Sequence, residues 1–368
     1  MPSIDAYSQR TLRSFTVRRR VDAPWIDGFV VTASGKVPRV QTALDFRDCL
    51  GSVKARWDIG RMNYRVPPGL YAAGNPGIGS TVLVSANYKM SFDRLRSVLP
   101  GRDAWILVLD TDGVNVWCSA GKGTFGTDEI VRRVQESGLE RVVSHRTLVV
   151  PQLGAPGVSA HEVQRRCGFR VEYGPVQAED LPAFLDSGMK ASPDMRRVRF
   201  RLRDRAVLIP VELVMGAKYA VLLALAFLLL GGVSGGGYSL AGVRTIGLKS
   251  AAVVLGAFLA GAVLGPILLP WLPGRAFSAK GAALGLVLVA GIGAWDIFRN
   301  GGVASWLHAA AWMAITPALT SFVVMNFTGA STFTSLSGVR REMRFALPLQ
   351  VAAAAIGFGF WLGGLFAA

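Results

Sequence analysis

The chain has 368 residues, of which 51% are hydrophobic, and a formal net charge of +16. Its mean hydropathy of +0.38 excludes an ordinary soluble enzyme, while its length allows two or three domains. Up to about residue 210 charge and hydrophobe mix normally, and beyond it long apolar runs begin, which predicts a soluble part followed by a membrane part.

Residues 1–78 read as an N-terminal extension rich in Arg, Gly and Pro. Within it, residues 28–40 resemble a hairpin whose turn is Ala33-Ser34-Gly35, with Gly35 free to take a positive φ. Asp45 to Tyr64 reads as helical, then irregular. From 79 to 190 strand and helix alternate. The strands are Thr81–Ser85, Trp105–Leu109, Thr147–Val150 and Phe169–Tyr173. The helices are Ser91–Leu99, Thr127–Ser137 (with Thr127 as its N-cap), Ser159–Cys167 and Ala178–Leu185. Such alternation predicts a parallel sheet covered by helices on both faces, a Rossmann-like domain.

Residues 191–212 form a basic linker carrying Arg196, Arg197, Arg199, Arg201, Arg203 and Arg205. A basic run just ahead of a first membrane helix reads as an anchor against anionic lipid, not as a nucleic-acid site. Residues 213–368 then hold five apolar segments, at about 213–234, 248–272, 278–298, 303–325 and 345–366. Each is near the roughly 20 residues needed to span a bilayer, and small residues suited to close helix packing fill them. The six-Arg cluster, Arg275 with Lys280, and Arg340 with Arg341 and Arg344 fall on one side; Arg244, Lys249 and Arg299 fall on the other. This asymmetry predicts a multi-pass protein of the cytoplasmic membrane, N-terminal domain cytoplasmic and C-terminus outside. No cleavable signal peptide is apparent.

The segment that carries chemistry is Asn115-Val116-Trp117-Cys118-Ser119-Ala120-Gly121-Lys122. It lies beyond the C-terminal end of the second strand, where open parallel sheets bind ligands. A thiol near a helix N-terminus is more readily a thiolate, and a soft thiolate can ligate a metal; a small buried hydrophobe is the bland alternative. A phosphate loop fails, because Val116 and Gly123 stand where Gly and Ser or Thr are required, and Gly74, Gly77 and Gly79 precede a strand instead of following it. The three cysteines, Cys49, Cys118 and Cys167, include no Cys-x-x-Cys pair, so the chain has no iron–sulfur or zinc cluster of its own. His145, His161 and His308 are scattered; no Asp-x-His-x-x-Gly cobalamin motif exists, and His145 reads as structural.

Asn115 to Lys122 resembles the signature of the mercury-methylating corrinoid proteins, the HgcA family, with Ser119 where Ala is usual. Val84-Ser85-Ala86-Asn87-Tyr88-Lys89, Tyr173-Gly174-Pro175-Val176-Gln177-Ala178-Glu179-Asp180 and residues 325–339 resemble further segments of that family. The resemblance implies an α/β Rossmann-like corrinoid-binding domain followed by an all-α transmembrane domain of five helices. It implies a base-off, cobalamin-type corrinoid with the Cys118 thiolate as lower ligand to cobalt, lined by Ser85, Asn115, Val116, Trp117, Ser119, Ala120, Gly121, Lys122 and Ala178. The implied activity is methyl transfer to inorganic Hg(II), with methyl-folate or a methyl-donor protein upstream. The implied electron donor is a small ferredoxin with two [4Fe-4S] clusters. A corrinoid methyl carrier of one-carbon metabolism, a membrane transport or scaffold protein with a regulatory α/β domain, and a cysteine-nucleophile enzyme are the rivals. The last lacks a convincing base, and transport has only Asp296 and His308 as intramembrane candidates.

Overall fold

The computed structural model describes residues 23–300, 305–327 and 336–367. It divides into two compact units. One holds the described residues up to Leu50 together with Met62–Arg197, and the other holds Gly51–Arg61 and the described residues from Val198 onward.

The first unit is built on one seven-stranded sheet in the order β1-β2-β3-β5-β4-β6-β7. The strands are β1 (Ile26–Thr32), β2 (Gly35–Val40), β3 (Gly69–Ala73), β4 (Val82–Ala86), β5 (Ala104–Leu109), β6 (Thr147–Val150) and β7 (Arg170–Tyr173). Strands β5, β4, β6 and β7 are mutually parallel. Strands β4, β5 and β6 are apolar along nearly their whole length, as strands buried on both faces must be, whereas β7 at the sheet edge carries Arg170 and Glu172. The sheet as a whole is mixed, which corrects the parallel sheet expected from the alternation: β3 runs antiparallel to β5 and β1 antiparallel to β2. Strand β3 is short, Gly-Leu-Tyr-Ala-Ala, with no period-2 pattern to announce it. The hairpin of β1 and β2 turns where expected, with Gly35 at φ 112°, and it joins the same sheet. The compact unit thus takes three strands from residues ahead of the alternating stretch.

Helices cover both faces. Helix α1 (Phe46–Arg56) follows β2 and runs from this unit into the Gly51–Arg61 segment counted with the other, and α2 (Lys89–Arg96) follows β4. Helices α3 (Val116–Lys122) and α4 (Thr127–Ser137) follow β5; α5 (Ala160–Cys167) follows β6, and α6 (Leu181–Asp186) follows β7. Ile130 and Val134 of α4 and Val163 of α5 share a core with Val84, Leu107 and Val150. Phe92 of α2 and Leu181 and Phe184 of α6 share the opposite core with Leu83, Ile106 and Val149. The chain leaves β4 toward β5 on one face and returns past β4 to β6 on the other, so the order reverses between β4 and β6. Helix α4 starts at Thr127, but its N-cap is Gly126. The Thr127 hydroxyl accepts a hydrogen bond from Ser159 N (2.9 Å) instead, so it ties two helix starts together.

The second unit contains five helices long and apolar enough to cross a membrane: Leu202–Leu230, Leu240–Leu268, Phe277–Arg299, Trp306–Asn326 and Gly338–Phe366. Their contacts depend on glycine, as expected of helices that associate in lipid. A Cβ on Gly247 would fall 2.2 Å from Leu228 O, and one on Gly285 2.6 Å from Pro317 Cα. Three buried polar contacts join helices: Gln350 donates to Ser321, Ser321 to Ser278 O, and Trp361 to Ser250. Lys249 pairs with Asp296. Residues 328–335 of the family-like stretch 325–339 lie outside the described residues.

Candidate functional site

The octapeptide folds as a cap. After β5 the chain turns sharply through Asp112 (φ 56°) and Gly113 (φ 73°), and α3 begins. Asn115 is its N-cap, and its side-chain oxygen accepts from Cys118 N at 2.9 Å, the preferred chemistry at such a start. Gly123 ends the helix at φ 83°, where a side chain would be strained. Cys118 therefore sits in the first turn of α3, and its thiol is half-exposed.

Ser119 is fully buried, and its hydroxyl donates to Asn115 O (2.6 Å) and Val116 O (3.1 Å). The hydroxyl that distinguishes it from Ala is absorbed within the helix. Ala120 and Val116 pack into the core beneath, and Trp117 is half-buried. Gly121 and Lys122 are exposed, and the space where Cβ atoms on Gly121 and Gly123 would stand is open.

The cap packs on the segment after β6, a 3-10 stretch from Gln152 to Gly157. The approach is close. A Cβ on Gly157 would lie 2.2 Å from Phe125 O and 3.0 Å from Ala120 O, and one on Gly154 2.4 Å from the Phe125 ring. The Tyr173 hydroxyl donates to Val158 O (2.7 Å) and braces that segment from β7. The cap thus rests at the C-terminal edge of the parallel strands, beside the reversal between β4 and β6, where doubly wound sheets bind ligands.

Among the other expected site residues, Ser85 lies near the end of β4, buried, its hydroxyl 3.3 Å from Ala86 O. Ala178 begins the 3-10 turn Ala178–Asp180 after β7 and is half-buried. Because the four strands are parallel, Ser85, the cap and Ala178 come to one end of the sheet. His145 does not join them. It precedes β6, with Nε2 2.9 Å from Ser80 O and Nδ1 accepting from Thr147 N, a structural role. His161 is exposed beside Ser159 and Glu162.

Two features of this end were not read from the sequence. The first is Asn87, 1% exposed. Its amide donates to Asp110 (3.0 Å), and its oxygen accepts from Thr111 N, Thr111 Oγ1 and Gly113 N. It fastens the exit of β4 to the turn that launches the cap. Its place right after an apolar strand, within the family-like segment Val84–Lys89, is the signal for it.

The second is a buried charge quartet. Lys89 donates to Asp48 and to Asp93 (2.7 Å each), and Arg96 bonds Asp48 (2.5 Å), Asp93 (2.8 Å) and the carbonyl of Gln41 (2.5 Å). Burial works against ionisation of Asp48, and hydrogen bonds from Lys89 and Arg96 outweigh it, so its carboxyl is held below the usual range. Two carboxylates matched by two cations satisfy the condition for burying charge.

A cobalt-binding corrinoid fits the residues present. The Cys118 thiol is soft and half-exposed, with no hydrogen bond to its sulfur among the described residues, and a Cβ on Gly121 or Gly123 would meet nothing within 4 Å. Soft sulfur donors suit such metals. No group of three or more His, Cys, Asp or Glu side chains placed to hold a metal ion occurs among the described residues.

Comparison with known proteins supplies independent context. The family model described as CO dehydrogenase/acetyl-CoA synthase delta subunit matches residues 57–185, the stretch holding β3 to α6 and the cap. The chain is also similar to proteins named acetyl-CoA decarbonylase/synthase complex subunit gamma. The protein from Methanopyrus kandleri is 33% identical over 123 residues, which are 33% of this chain and 26% of that protein. The one from Archaeoglobus fulgidus is 30% identical over 128 residues, 34% of this chain and 27% of that protein. The one from Methanothermobacter thermautotrophicus is 30% identical over 123 residues, 33% of this chain and 26% of that protein. The matched region thus spans about a quarter of the length of these relatives. The family-model match falls almost wholly on the α/β unit. The names concern acetyl-CoA chemistry and do not mention mercury.

Proposed function

We propose that the α/β unit holds a corrinoid at the C-terminal edge of β4, β5, β6 and β7 and takes part in methyl transfer, with Cys118 as the lower axial ligand. The observation that carries this reading is the placement of Cys118. It stands half-exposed in a capped, glycine-terminated helix seated on the segment after β6. When bound, a corrinoid supplies a cobalt centre able to accept and release a methyl group. The protein's part is to fix the thiol. Asn115 holds the first turn, the Gly154 and Gly157 contacts hold the cap against the β6 exit, and Asn87 holds the turn before it. Ser85 and Ala178 approach the same edge from β4 and β7.

Two acceptors are open to such a module. The relatives' names favour a methyl carrier of one-carbon metabolism. The resemblance of Asn115–Lys122 favours Hg(II), and we adopt it as the acceptor because a cysteine in the cap is the feature this reading explains and the carrier reading leaves unused. With three cysteines in the chain and four thiolates usual for a four-iron cluster, low-potential electrons come from a partner such as a ferredoxin with two [4Fe-4S] clusters. Upstream, methyl-folate or a methyl-donor protein supplies the methyl group. The five apolar helices hold the chain in the cytoplasmic membrane, with the α/β unit on the cytoplasmic side by charge asymmetry.

The deciding experiment compares wild type and Cys118→Ala, each purified with bound corrinoid. The visible spectrum should shift in the variant, and transfer of labelled methyl to Hg(II) should be lost. An unchanged spectrum overturns the ligand assignment. Transfer to an acetyl-CoA synthase partner but not to Hg(II) moves the conclusion to the carrier reading.

A further inference from the structure

Helix α1 is amphipathic in an unusual sense, because its apolar face is the exposed one. Phe46, Leu50, Val53 and Trp57 follow one another at spacings of four, three and four, so they share one face, and Val53 O accepts Trp57 N (3.1 Å) to extend the last turn. All four are exposed, Phe46 at 77%. Ile59 and Met62 continue the exposed apolar surface past the helix. The opposite face carries Asp48 and Ala55, both buried. Single exposed hydrophobes are ordinary, whereas four on one helix face, with two more just beyond it, mark a contact surface.

The flanks identify the contact. Arg47 and Lys54 line one side of the apolar face, Arg56 lines the other, and Arg61 and Arg65 follow. Trp, Phe and Leu on one face with Lys and Arg beside them are the composition of a helix lying in a membrane interface. Five helices of this same chain are long and apolar enough to cross a bilayer, so a bilayer is a surface this chain is read to meet. The helix itself precedes the region shared with the acetyl-CoA synthase subunits, which begins at residue 57.

We propose that the exposed face of α1, continued by Ile59 and Met62, is a lipid-docking surface that lies in the headgroup region of an anionic bilayer. This is a second membrane contact, separate from the spans and from the arginine-rich segment 196–205. It rests on the bilayer reading of the five helices and is independent of the corrinoid. The surface ends beside the candidate site: Met62 O lies 3.1 Å from where a Cβ on Gly113 would stand, in the turn that leads to the cap.

The test uses the full-length chain in nanodiscs, with its native cysteines replaced and one new cysteine carrying an environment-sensitive fluorophore. Phe46→Cys and Val53→Cys report on the face, and Gln135→Cys, exposed on α4, is the reference. At positions 46 and 53 emission should shift to the blue and be quenched more by lipid-borne nitroxide than by a soluble quencher. The difference should grow when phosphatidylglycerol is added to phosphatidylcholine. Position 135 should behave as water-exposed. Phe46→Ser with Trp57→Ser should return the label at 53 to the aqueous signal without changing the thermal melt. Aqueous behaviour at 46 and 53 equal to that at 135 overturns the proposal. So does shielding from both quenchers, which would assign the face to a protein partner or a second copy.

Discussion

The side-chain oxygen of Asn87 accepts the backbone N–H of Gly113 at 2.9 Å, joining the end of one buried strand to the turn that follows its neighbour. Two further bonds to that oxygen and one from the amide to Asp110 complete the clamp. The cap bearing Cys118 starts two residues beyond that turn, so its position is set from β4 as well as from β5.

Asn87→Ala should therefore loosen the cap. It leaves the N–H groups of Thr111 and Gly113 buried without acceptors, and a buried unsatisfied group costs about 1–3 kcal/mol. The expected result is a lower melting temperature for the α/β unit and weaker corrinoid retention. Differential scanning calorimetry and corrinoid content after gel filtration check both.

Gly157→Ala should displace the cap directly. The new Cβ would meet backbone oxygens of Phe125 and Ala120, which cannot swing aside, and overpacking of this kind costs about 1–3 kcal/mol. Corrinoid loading should fall more than it does in Gly121→Ala, where the added methyl meets open space. Equal loading of the two variants would show that the cap does not depend on this contact.

The charge quartet predicts an acid limb. Asp48 is held below its ordinary range, so its contribution is present above the unfolded-state value, about 4, and is lost as pH falls through the lower folded value. The α/β unit should keep its stability from neutral pH down to about pH 4 and lose it below that. Asp48→Asn should flatten that loss while being less stable at neutral pH, because it leaves Lys89 and Arg96 short of a carboxylate. Chemical denaturation across pH measures both.

The three cysteines should label differently. Cys49 is exposed. Cys167 donates to Val163 O (3.2 Å), and burial pushes its thiol up, so less thiolate is available at neutral pH and it should alkylate slowly. Corrinoid loading should protect Cys118 and leave Cys49 reactive. Iodoacetamide labelling followed by peptide mass spectrometry reads each site.

The spans predict opposite faces for the two ends of the helical unit. A reporter fused after Ala368 should be active only if it functions outside the cytoplasm. Cytoplasmic activity there would require an even number of crossings.

Features that depend on local periodicity are legible in the chain. The four parallel strands fall within a residue or two of their expected bounds, the Gly35 hairpin turns where expected, and five apolar helices occupy the places of five apolar runs. The segment 115–122 was also legible, because a lone Trp-Cys pair between a strand and a glycine run is rare enough to be seen without a fold. The remaining features depend on partners far apart in the chain. Strand β3 has no alternating pattern and is a strand because β2 and β5 offer it hydrogen bonds on both edges. Asp48 becomes one of four members of a buried ion network only because Lys89 and Arg96, more than forty residues away, fold against it. Asn87 becomes an organiser only once β4 lies beside β5. In each case the side chain's chemistry was visible, but the geometry that gives it a role is set by strand order, which periodicity does not encode.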